Sequence, residues 1–97
     1  MITSKQHIIA TLQNNLTLLK AKYPLESIGL FGSYSRDEQT EFSDIDLIVS
    51  FTRPVGMELI DLSFELEDIL KRKIDLVSIK GIKPKYFDAI KQDILYA

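Results

Sequence analysis

Three aspartates stand where a chain ordinarily places apolar residues. Asp46 lies inside the run Ile45-Asp46-Leu47-Ile48-Val49-Ser50-Phe51, and Asp75 inside Ile74-Asp75-Leu76-Val77-Ser78-Ile79. Asp44 precedes the first run by one residue. Aspartate disfavours strands, and an unpaired carboxylate beside a core costs several kcal/mol or loses its charge. Strand alternation puts Asp44 and Asp46 side by side on one face. Two carboxylates there repel each other unless a cation sits between them. Hard divalent ions such as Mg²⁺ take oxygen ligands, commonly one or two carboxylates together with substrate phosphates. A third carboxylate on a neighbouring strand completes such a set. Taken singly, Asp44 reads as a strand-start turn residue and Asp75 as an edge-strand charge that deters aggregation. Taken together, the three read as a cation site.

Upstream lies Phe31-Gly32-Ser33-Tyr34-Ser35-Arg36, directly after a short apolar run. A Gly-Ser at a strand end offers exposed backbone N–H groups and a hydroxyl, which are phosphate-binding parts. The same dipeptide is also common in ordinary turns. Other candidates are weaker. His7 is the one histidine and falls in the first turn of a helix-like segment, where a surface position is expected. Ser-His-Asp chemistry therefore lacks its parts. Met57 and Phe64 belong to a helical stripe and are expected in the core. Tyr86 and Phe87 with Lys83 and Lys85 form too short a cluster for a nucleic-acid patch, and Phe87 fits a core face.

The elements that must position these residues follow from periodicity and punctuation. Ile8, Ile9, Leu12, Leu16 and Leu19 recur at helical spacing, with Thr3 or Ser4 as N-cap and Pro24 as the stop. Ile28-Gly29-Leu30-Phe31 reads as a first strand, residues 45–51 as a second and 74–79 as a third. Met57 to Leu70 returns to helical periodicity, and Pro84 opens a last helix with the apolar face Phe87, Ile90 and Ile94. A helix between the second and third strands predicts a right-handed crossover and parallel pairing. The dozen polar residues joining the first two strands predict antiparallel pairing. The expected fold is α/β (or α+β), with a mixed sheet of about three strands packed with helices.

Composition bounds the function. At 97 residues and 45% hydrophobic content the chain supports one core, so a single domain over residues 1–97 is expected and disorder is excluded. The absence of cysteine rules out a disulfide scaffold. No apolar run approaches the ~20 residues that span a bilayer, and no signal-peptide pattern is present, so the cytoplasm is expected. Twelve basic against fourteen acidic residues argue against direct nucleic-acid binding. Between Asp37 and Asp68 ten acids face only Arg53, whereas Ile69 to Lys91 is basic. Most of these charges read as solvated helix faces; the sharper reading is an acidic centre for cations beside a basic rim for phosphates.

Gly32-Ser33, ten residues, Asp44-Ile45-Asp46, then Asp75 in a later strand: this arrangement resembles the nucleotidyltransferase superfamily typified by DNA polymerase β. More closely, it resembles the minimal nucleotidyltransferase (MNT) proteins, the antitoxin partners of HEPN toxins. Gly32-Ser33-Tyr34-Ser35-Arg36 followed by Ser43-Asp44-Ile45-Asp46-Leu47 matches the MNT pattern at Gly, Ser, Arg, Ser-Asp, Asp and Leu. Asp37 departs from it, standing where many relatives have Gly. The resemblance implies a palm-like fold and two Mg²⁺ ions, with Mn²⁺ as a substitute, held by Asp44, Asp46 and Asp75. It makes Asp75 the general base and places the nucleotide on Gly32, Ser33, Arg36 and Ser43. For Arg36 a solvated loop cation is the competing reading. The implied reaction transfers AMP from ATP to a tyrosine of a HEPN-family toxin, the action of a type VII antitoxin. Two alternatives stay open: a module that blocks a HEPN ribonuclease by contact alone, and a small-molecule nucleotidyltransferase whose acceptor pocket lies on a partner subunit.

Overall fold

The computed structural model describes residues 3–97. Helix α1 (Lys5–Lys22) starts at Ser4, whose hydroxyl accepts the His7 N–H at 3.1 Å. Such a cap is worth about 1 kcal/mol. His7 itself is exposed. The helix ends at Tyr23, ahead of Pro24. Then come β1 (Leu25–Phe31), β2 (Ile45–Phe51), α2 (Glu58–Leu70), β3 (Ile74–Ser78), α3 (Pro84–Ile90) and β4 (Leu95–Tyr96). The strand order is β3-β2-β1-β4. β2 and β3 run parallel across the α2 crossover, and β1 and β2 run antiparallel, as the connections predict.

The sheet has four strands rather than three. The last helix stops at Ile90, a 3₁₀ turn covers Lys91–Asp93, and Leu95–Tyr96 pairs antiparallel with β1. Ile94 therefore does not belong to a helical face. It lies over Gly29, where a Cβ would come within 2.6 Å of the Ile94 side chain and 3.2 Å of the Tyr96 ring. Glycine at that one position lets the chain end close over β1.

Alternation along β2 divides the molecule into layers. Ile45, Leu47 and Val49 are fully buried and pack with Ile8, Leu12 and Leu19 of α1 and with Leu62, Leu66 and Leu70 of α2. Asp46, Ile48 and Ser50 point to the opposite face, where Ile48 packs with Phe31 and with Ile90 of α3. Ile90 of α3 packs over Ile48 on that face, with Asp46 one step toward the start of the strand. Each fully buried Leu or Ile contributes about 1.5–3 kcal/mol, so the two apolar layers hold the strands in register.

Met57 and Phe64 are not in the core: each is 64% exposed. Helical residues advance by about 100°, which puts 57, 60 and 64 on the side opposite Leu62 and Leu66. No helix among the described residues is long and apolar enough to cross a membrane.

Candidate active site

Two strand registers assemble the site. The parallel β2–β3 ladder pairs Asp46 with Asp75, and the antiparallel β1–β2 ladder pairs Phe31 with Asp46. The chain thus leaves β1 at Gly32 directly beside the Asp46 carboxylate. Gly32 has φ +78°, and a Cβ there would fall on that carboxylate. Both conformation and space require glycine.

From Gly32 the backbone folds into a tight loop. The Arg36 N–H is shared between the Gly32 and Ser33 carbonyls at 3.2 Å each, and the Glu38 N–H donates to Ser33 at 2.8 Å. Tyr34, completely buried among Ile8, Leu12 and Leu30, anchors the loop to the main core. The Ser35 hydroxyl donates to the Asp93 carbonyl. Asp37 adopts φ +56°, the left-handed region that aspartate tolerates better than most residues and glycine best. That explains why glycine suits the position. The Asp37 carboxylate pairs with Lys5 at 2.9 Å.

Asp46 is half-buried, and its carboxyl is pushed up to about 6. Burial is the largest cause; the charges of Asp75 and Asp44 add to it, as does a hydrogen bond with Asp75, while Arg36 opposes. Asp44 sits just before β2 begins, and both it and Asp75 are exposed. Asp46 and Asp75 are hydrogen-bonded, whereas Asp44 acts on Asp46 through its charge alone. Among the described residues, no three acidic, histidine or cysteine side chains are gathered closely enough to enclose an ion.

The remaining expected residues divide. Ser33 lies at the head of the loop, next to Gly32. Arg36 is turned toward Glu38 at 2.9 Å and Asp93 at 3.4 Å, and Glu38 above all raises its pKa. The Ser43 hydroxyl accepts the Thr40 N–H at 2.9 Å, which tightens the turn that delivers Asp44. Asp93 escaped sequence reasoning although it holds both Ser35 and Arg36. It lies 57 residues from Arg36, and no local pattern marks it.

A family model described as the nucleotidyltransferase domain matches residues 12–97. The chain belongs to that family. Among relatives of this nucleotidyltransferase is MJ0126 of Methanocaldococcus jannaschii, assigned as a protein adenylyltransferase. The two are 42% identical over 80 residues, which cover 80% of this chain and 82% of the relative. The protein adenylyltransferase MntA of Thermococcus cleftensis is 33% identical over 79 residues, covering 80% of each chain. Of the solved structures, one described as a minimal nucleotidyltransferase superposes with a TM-score of 0.81 at 26% identity, over 96% of this chain and 95% of that one. A chain from the Shewanella oneidensis complex of a tri-AMPylated HEPN toxin with an MNT antitoxin superposes with a TM-score of 0.68 at 23% identity. It covers 92% of this chain and 70% of that one, and it attests the fold.

Proposed function

We propose that this enzyme is a Mg²⁺-dependent protein adenylyltransferase that transfers AMP from ATP to a tyrosine hydroxyl of a HEPN-family partner, and so acts as a type VII antitoxin. It works in the cytoplasm, as a single minimal nucleotidyltransferase domain. The observation that carries the reading is Asp46, a half-buried carboxylate crowded by Asp75 and Asp44 at the mouth of the Gly32 loop. A divalent cation fits this donor set, since it supplies the positive charge that three adjacent carboxylates lack. Asp46 and Asp75 are already paired, and Asp44 adds its negative charge from two residues before Asp46. When bound, Mg²⁺ neutralises the triphosphate and the charge that develops during transfer.

The chain's own residues do the rest. Gly32 lets the loop approach closely enough for the Ser33 hydroxyl and N–H to hold the outer phosphates. Asp75 lies at the solvent side of the pair, where it can take the proton from an incoming hydroxyl. The tyrosine oxygen forms a bond to the α-phosphorus, the bond from that phosphorus to the bridging oxygen breaks, and pyrophosphate leaves. Arg36, beside the loop and held by Glu38 and Asp93, balances the charge of the departing group.

Incubation with α-labelled ATP, Mg²⁺ and a HEPN-family partner protein should label that protein and release pyrophosphate. Asp75→Asn should slow transfer by about 10²–10⁴ with a smaller loss of nucleotide affinity. Wild type that protects cells while labelling nothing, matched by Asp75→Asn, would make the protein a contact-only blocker instead.

A further inference from the structure

The outward face of α2 is apolar where a surface helix should be polar. Met57 and Phe64 are each 64% exposed and Ile60 47% exposed. They lie within an arc of about 60° on the side of the helix opposite its buried leucines. Contiguous exposed apolar surface of this kind marks an interaction site.

Charge says what covers it. Residues 58–70 hold five acids and no Lys or Arg. Glu58 is bound by Arg53 and Glu65 by Lys22, and the Glu67 carboxylate accepts the Ile74 N–H at the β3 edge. Asp61 and Asp68 are exposed and flank the stripe. A second copy of the chain is the wrong occupant, because a two-fold contact through α2 brings Asp61 and Asp68 of both copies together.

We propose that the Met57-Ile60-Phe64 face of α2 is a docking surface for a cationic amphipathic helix of the protein acceptor, on the sheet face opposite the Asp46 carboxylate. This rests on the reading above that the acceptor is a protein. Docking there anchors the acceptor through contacts that take no part in the chemistry, so it sets affinity and leaves the chemical step alone.

The test uses the full chain carrying Ile60→Glu and Phe64→Glu, and separately Asp61→Lys with Asp68→Lys. All four positions are solvent-facing, and circular dichroism checks the fold. Complex formation with the HEPN-type partner is measured by sedimentation and biolayer interferometry without nucleotide. The apolar double variant should raise Kd by about tenfold or more. It should raise the acceptor KM in step, with kcat at saturating acceptor and ATP affinity retained. The charge-reversal pair should slow association and flatten its salt dependence. Unchanged Kd and KM in the apolar variant overturn the proposal, as does a wild-type chain that fails to bind the partner. Wild-type self-association abolished by the same variant assigns the face to a second copy. Because binding is read without nucleotide, a chain that docks and never labels refutes adenylyl transfer alone, whereas one that labels with an unaltered acceptor KM in the variant refutes this surface alone.

Discussion

Two regions break the rule of apolar inside and polar outside, in opposite senses. At the end of the sheet a carboxylate is pressed into a half-buried position beside two others, where an apolar residue would be more stable. On α2 three large apolar side chains face water, where charged residues would be more soluble. The first departure costs folding stability in the free chain, and on the proposed function a cation would relieve it. The second costs little stability, and on the proposed docking a protein would cover it. On the proposed function the two regions divide chemistry from recognition: the misplaced charge is where bonds would change, and the misplaced apolar stripe is where a partner would rest.

Asp46→Asn gives the largest contrast. Transfer should fall by about 10²–10⁴ in a labelling assay, while the melting temperature in chelator rises, since the amide keeps the shape and removes the repelling charge. Phe64→Gln should leave stability within about 0.5 kcal/mol, as surface substitutions do. A fall in the metal-free melting temperature of Asp46→Asn would break the comparison.

Next in size is Ser33→Ala. A hydroxyl bonded to a charged phosphate is worth roughly 1.5–3 kcal/mol, so ATP affinity should drop by about one to two decades. AMP, lacking the outer phosphates, should bind mutant and wild type alike in calorimetric titration. Equal losses for ATP and AMP would remove Ser33 from the outer-phosphate site.

Backbone conformation gives a third test. Gly32→Ala places a Cβ at positive φ against the Asp46 carboxylate and should destabilise by about 1–3 kcal/mol in denaturant melts. Gly56→Ala, with no atom within 4 Å of the added carbon, should change stability by less than about 1 kcal/mol. Equal effects would mean that the Gly32 loop is not held against Asp46.

The smallest effect is on pH. In chelator, Asp46 binds its proton more tightly folded than unfolded, with a pKa of about 6 against an ordinary 3.8. The native state then carries the extra proton between those values, and stability from this group declines as pH rises through about 6. Asp46→Asn should flatten that decline. Excess Mg²⁺ should reverse it, because the ion binds the ionised form.

Much of this was legible in the sequence because it is local. The bounds of β2, the parallel pairing across α2 and the break at Pro24 follow from periodicity and punctuation. Three aspartates beside a Gly-Ser were conspicuous because each violates the propensity of its own segment. What only the tertiary structure decided depends on contacts between distant segments. Ile94 reads as part of a helical face until Gly29 leaves room for the chain end on β1. Asp93 meets Ser35 and Arg36 only once the chain end has turned back. Most telling is α2, which carries apolar residues on both sides, so periodicity announces a helix without saying which side is inside. Packing of Leu62, Leu66 and Leu70 against α1 and the sheet made that choice, and it left Met57, Ile60 and Phe64 in water.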